Sequence, residues 1–201
     1  RHGDTELGPD GLYPDPAHLS ELGQAQACAL APRLESIAPH ALITSGLERA
    51  DETAAPYVTT SRIKPEFVHE FDEIGIGHLR SCDRAVVQAK LFQQPFIPDF
   101  SEYDGESSTE FAGRVINALQ NRVLDRFDKG HRIAIVIHGG PINVILDWIE
   151  HGSFTGLLSR KIETASITLL RQGPAGLEIV YISDTSHLKD VTYPAPESPE
   201  A

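Results

Sequence analysis

Methionine is absent from this chain, cysteine occurs twice and tryptophan once. The two cysteines, Cys28 and Cys82, make neither a metal-ligand spacing nor a disulfide framework. Two free thiols in a reducing compartment are expected, which points to a cytoplasmic protein. Basic residues are also scarce, 17 against 29 acidic, for a formal net charge of −12. A wide basic face for DNA or RNA is not expected on such a chain. An anionic substrate would need a few arginines gathered into a local positive pocket against the overall field. No hydrophobic run approaches the roughly 20 residues that span a bilayer. The longest, Ile133 to Ile137, has the length of a strand. No membrane partner follows from this pattern, and no signal peptide is visible.

What is present is an ordinary globular balance, with 40% hydrophobic and 23% charged residues over 201 positions. That length can bury a sizeable core. One domain is expected over residues 1–192, followed by a proline-bearing, disordered tail at 193–201. The clearest stretch is Ile133 to Leu146. A β-branched run stops at His138, Gly139 and Gly140 follow, and Pro141 opens an apolar run at helical spacing. This predicts a buried strand, a tight turn and a helix, with His138 at the strand's carboxyl end. In open α/β sheets ligands bind at that edge, and helix N-termini attract anions.

The rest of the chain alternates in the same way. Residues 7–17 are rich in Gly, Pro and Asp and form a loop. Ser20 is placed to cap a helix carrying Leu22, Gln26, Leu30 and Leu34, and Pro32 late in the run is expected to kink or shorten it. Ala41–Thr44 is a short strand, residues 47–57 a helix, and residues 63–71 an extended segment. Residues 75–105 are irregular and read as a lid-like insertion. Residues 107–127 predict the longest helix, and 166–171 with 177–182 an antiparallel hairpin. The class is therefore α/β, a three-layer sandwich with a largely parallel sheet and helices on both faces. Arg1-His2-Gly3 looks like the end of a strand, so a truncated first strand is expected, with apolar residues ahead of Arg1.

Three segments share one form, a strand end, small residues and a helix start. They are Arg1-His2-Gly3, Thr44 to Arg49, and His138-Gly139-Gly140. If their strands are neighbours, two histidines and two arginines meet at one sheet edge. Arginine forks bind phosphoryl oxygens bidentately, and a neutral imidazole is a competent nucleophile. Each residue alone has a plainer reading: a histidine at a strand end is usually structural, and an arginine in a helix's first turn usually lies on the surface. Repetition of the pattern three times favours a site.

These residues resemble the histidine phosphatases, the superfamily that includes phosphoglycerate mutases. Arg1-His2-Gly3 with Thr5 is similar to its signature, and residues 19–27 to its first helix motif. The resemblance continues through residues 44–54, Phe71 to Gly77, Gly105-Glu106-Ser107, residues 136–140 and His187-Leu188. It implies a phosphatase in which His2 takes the phosphoryl group. Arg1, Thr5, Arg49, His138 and Gly139 would bind the phosphate, with Arg1, Arg49 and His138 stabilising the transition state. Glu73 would serve as general acid and base, with Asp72 and Glu70 as rivals. The substrate would be a small phosphorylated molecule, and neither a cofactor nor a metal would be needed.

Gly8 stands where many members have a phosphate-contacting asparagine, and the chain lacks the longer insertions of mutases. Both points favour a phosphatase over a mutase. A non-catalytic phosphate-binding module of the same fold is a further alternative. An esterase reading of His138-Gly139-Gly140 fails because the chain has no Gly-x-Ser-x-Gly elbow. A metal site from His69, Glu70, Asp72 and His78 matches no ligand spacing. Within the insertion, His78, Arg80, Arg84, Phe92, Phe96 and Tyr103 are candidate contacts to the leaving group.

Overall fold

A short parallel sheet divides the core into two layers. The computed structural model describes residues 1–6, 8, 14–91, 98–156, 159–174 and 176–191. Part of the loop expected over 7–17, the candidate contacts Phe92 and Phe96, and the tail expected after residue 192 lie outside the described residues. The elements run α1 (Glu21–Ile37), β1 (Ala41–Thr44), α2 (Glu48–Ser61), β2 (Glu66–Phe67), α3 (Arg84–Leu91), α4 (Ser108–Ala118), β3 (Ile133–Val136), α5 (Gly139–His151), β4 (Ile167–Gly173) and β5 (Gly176–Asp184). The sheet order is β2-β1-β3, with all pairs parallel and Ala41 opposite Ile133. Among the described residues no helix is long and apolar enough to cross a membrane.

Successive side chains of a strand point to opposite faces. In β1, Leu42 packs with Leu30 and Leu34 of α1 and with Ala50, Ala54 and Tyr57 of α2. Its neighbour Ile43 joins the larger core with Phe111 and Val115 of α4 and Val144 and Leu146 of α5. Helices therefore cover both faces, as the alternating pattern predicts. Capping sets two of their starts. The Ser20 hydroxyl accepts the Gly23 N–H at 3.1 Å, and Ser107 forms a reciprocal capping box with Glu110.

Three segments depart from the sequence reading. Of the extended run expected over 63–71, two residues pair as β2; the chain then tightens into a 3-10 turn at His69–Phe71, which buries Phe71. The helix expected to Phe127 changes at Ala118 into a π-helical turn over Leu119–Leu124. The wider turn lets both Val123 and Leu124 pack against the core. Pro32 does not end α1, which continues to Ile37.

β4 and β5 form a separate antiparallel sheet. The first residues lie between it and β3. The His2 N–H donates to Ile137 O at 2.8 Å, and the Ala165 N–H donates to His2 O at 2.9 Å. The main-chain nitrogen of Arg1 donates to Ser166 O at 3.0 Å. Beyond Arg1 an apolar slot of about 540 Å³ runs between β3 and β4, walled by residues such as Ile133, Ile135, Ile145, Leu170 and Leu34.

Candidate active site

The opening residues are held from four sides. Besides its contacts with Ile137 and Ala165, the segment gives its Gly3 N–H to Thr53 Oγ1 at 2.9 Å. It gives its Asp4 N–H to Gln26 Oε1 at 2.8 Å. α1 approaches so closely that a Cβ on Gly23 would lie 2.0 Å from Asp4 O. His187 secures the outer side, its Nε2 donating to Ala165 O at 3.0 Å. His2 is left 2% exposed.

The hydrogen bonds of both imidazoles fix their tautomers. His2 Nδ1 lies 2.7 Å from Gly3 O. A carbonyl oxygen accepts only, so Nδ1 carries the hydrogen and the lone pair falls on Nε2. Thr5 Oγ1 lies 3.3 Å from the same Nδ1. His138 occupies the N-cap position of α5 and is fully buried. Arg49 Nε–H donates to His138 Nδ1 at 3.2 Å, which puts the hydrogen on Nε2, 2.8 Å from Ser45 Oγ. The two ring centroids are 5.1 Å apart. Burial holds both rings well below the ordinary histidine pKa, helped at His2 by Arg1 and Arg49 and at His138 by His2 and Arg49. Both are neutral at pH 7.

Two guanidiniums converge here by different routes. Arg49 comes from the first turn of α2 and is itself buried. Arg1 passes 3.8 Å from where a Cβ of Gly139 would be, and its Nη1 donates to Ile162 O at 2.6 Å. The loop carrying Ile162 is fastened to α5. Asn143 Nδ2 donates to Gly139 O and Arg160 O, while its Oδ1 accepts from Ser159 Oγ and the Arg160 N–H. Fully buried Asp147 accepts from Thr155, Ser159 and Arg160.

Of the three candidate acids, Glu73 reaches the start of α5. Its Oε2 accepts the Gly140 N–H at 3.1 Å and its Oε1 the Ile74 N–H at 3.2 Å. Asp72 instead faces His69 at 3.5 Å, and Glu70 pairs with Arg122. His78 is tied to Asp104 and Tyr103 inside the insertion. Among the described residues no three such ligands are grouped to hold a metal ion.

The structure thus brings His2, His138, Arg1, Arg49, Thr5, Gly139 and Glu73 around the carboxyl end of β3 and the start of α5. Sequence reasoning did not single out Ser45, Thr53 or Gln26 as supports. One signal for the close approach was legible: Gly23 lies inside α1, where glycine costs about 1 kcal/mol relative to alanine.

The profile of the histidine phosphatase superfamily (branch 1) matches residues 1–185. A Schizosaccharomyces pombe protein named a probable phosphatase is 29% identical over 202 residues, covering 94% of this chain and 93% of that protein. A metal-independent phosphoserine phosphatase of Arabidopsis thaliana is also 29% identical, covering 96% of this chain and 83% of its own length. Among solved structures, Bacillus stearothermophilus YhfR superposes with a TM-score of 0.73 at 24% identity, over 94% of this chain and 96% of that one. The phosphate complex of a mycobacterial glucosyl-3-phosphoglycerate phosphatase gives 0.74 at 22% identity, over 93% and 96%.

Proposed function

Because the chain belongs to the histidine phosphatase superfamily, we propose that it hydrolyses a small phosphate monoester through a phosphohistidine on His2. The observation that carries this reading is the tether from His2 Nδ1 to Gly3 O at 2.7 Å. It directs the lone pair of a neutral ring to Nε2, the form a nucleophile needs.

In the first step Nε2 forms an N–P bond as the ester P–O bond breaks. Glu73, as the carboxylic acid, gives its proton to the leaving oxygen. In the second step Glu73, now a carboxylate, takes a proton from water. The water oxygen attacks phosphorus, the N–P electrons return to Nε2, and inorganic phosphate leaves. Arg1, Arg49 and the Gly139 N–H at the start of α5 neutralise the phosphoryl oxygens, while Thr5, with its Oγ1 3.3 Å from His2 Nδ1, stands by the other ring nitrogen. His138 holds Arg49 through Nδ1 and exchanges Ser45 for a phosphoryl oxygen at Nε2. Every step is carried by the chain's own groups, and none calls on a metal. The Arabidopsis relative's name, metal-independent phosphoserine phosphatase, supports that reading and makes phosphoserine a first substrate to try. The acidic surface disfavours larger polyanions.

The test is turnover of para-nitrophenyl phosphate, with and without EDTA, and mass spectrometry of the quenched enzyme. Turnover survives EDTA, a phosphoryl adduct appears on His2, and both adduct and turnover vanish in His2→Ala. Turnover by His2→Ala, an adduct on another residue, or loss with EDTA overturns the mechanism.

A further inference from the structure

Glu73 lies in a stretch with no regular structure. Residues 73–76 belong to neither a strand nor a helix, so no ladder of main-chain bonds fixes them. Arg114, on α4, supplies the order. Its Nη1 donates to Glu70 O and Asp72 O, both at 2.9 Å, and its Nη2 to Glu73 O at 3.1 Å. The remaining two N–H groups fork onto Glu106, from Nε to Oε1 at 2.6 Å and from Nη2 to Oε2 at 2.7 Å. All five guanidinium donors are thereby used, a pattern that the three donors of lysine cannot reproduce.

Glu106 completes the frame. Its Oε2 accepts the Gly75 N–H at 2.7 Å, and its own N–H donates to Gly75 O at 2.8 Å. The guanidinium also lies 4.9 Å from the centroid of the Phe111 ring, which is fully buried. Burial opposes the Glu106 charge, but Arg114 and the Gly75 N–H outweigh it and hold the carboxyl below its usual range. The backbone is therefore gripped at residues 70, 72, 73 and 75, on both sides of the carboxylate that meets Gly140.

We infer that the Arg114–Glu106 pair is a positioning device for the acid of the reaction, holding the Glu73 backbone so that its carboxyl reaches the leaving oxygen. This rests on the assignment of Glu73 as general acid. Arg114 acts through Glu73 alone, so its effect tracks how much the leaving group needs a proton.

The experiment compares kcat/KM for para-nitrophenyl phosphate and phenyl phosphate, which differ by a nitro group. The nitrophenolate leaves readily without a proton, whereas phenolate is the poorer leaving group. General acid catalysis contributes about 10²–10⁴-fold, so Glu73→Gln should lose about that much on phenyl phosphate and far less on the nitro compound. Arg114→Lys should show the same selective loss, about 10-fold or more on phenyl phosphate and at most a few-fold on the other. In Glu73→Gln/Arg114→Lys the selective loss should be no larger than in Glu73→Gln, because the two act through one group. Glu106→Gln, which keeps the shape but not the charge, should give a smaller selective loss and provides the comparison if Arg114→Lys does not fold. Equal losses on both substrates in the Arg114 and Glu106 variants overturn the inference while leaving Glu73 as the acid. Equal losses in Glu73→Gln overturn the acid assignment itself.

Discussion

Lowering the pH from about 7.5 to about 5.5 should destabilise the fold through its two buried imidazoles. Both rings have folded-state pKa values well below the ordinary 6.5, chiefly because burial disfavours the cation. Above 6.5 neither the folded nor the unfolded chain binds the proton, and the folded state keeps its full stability. Below 6.5 the unfolded chain takes up protons that the folded site refuses, so stability falls as the pH drops toward the folded values. Each imidazole then contributes a slope of up to about 1.4 kcal/mol per pH unit, which over this interval gives as much as about 2.7 kcal/mol for the pair. That is a large part of a typical stability of about 5–15 kcal/mol. Urea denaturation at constant ionic strength measures it, in buffer free of phosphate, because a bound anion would add its own linkage. His187 is shifted down by partial burial and exposed His18 is shifted up by Glu52. They are common to wild type and variant and cancel in the difference. His2→Gln should lose up to about 1.4 kcal/mol less than wild type between the two pH values. An equal loss in His2→Gln would mean that His2 is not held neutral by the fold, and the case for its Nε2 as nucleophile would go with it.

Three further outcomes follow from the geometry around the site. Gly23→Ala puts a Cβ 2.0 Å from Asp4 O; overpacking of this kind costs about 1–3 kcal/mol and displaces residues 1–5, so both the melting temperature and kcat should drop. Arg49→Lys keeps the charge but loses the Nε–H that holds His138 at 3.2 Å; kcat should fall about 10²-fold with little change in melting temperature, and a kcat within a few-fold of wild type refutes the role. Asp147→Ala strips the buried acceptor from Thr155, Ser159 and Arg160. It should cost about 3 kcal/mol in denaturant titration and, by releasing the loop that holds Arg1, raise the inhibition constant for inorganic phosphate.

The residues expected to do chemistry were legible because their places are set locally. A β-branched run ending at His138 and the Gly-Gly-Pro that follows determine a strand end and a helix start without reference to the rest of the chain. The same holds for Ala41–Thr44 ahead of Ser45, and for Ser20 as the cap of α1. The π-helical turn after Ala118 and the 3-10 turn that buries Phe71 were not legible, because packing against distant side chains decides them. The supports of the site failed for the same reason. Arg114 stands 41 residues from Glu73, and Thr53 stands 50 residues from Gly3. Each binds a backbone group, so nothing in the identity of its partner residue reveals the pairing. Glu106 entered the sequence reading only through a motif resemblance, yet its carboxylate meets both Arg114 and the Gly75 N–H. A side chain that recognises a main-chain carbonyl leaves no mark on the residue it serves. Local pattern can therefore nominate the groups that react, while the groups that aim them become visible only when the chain is folded.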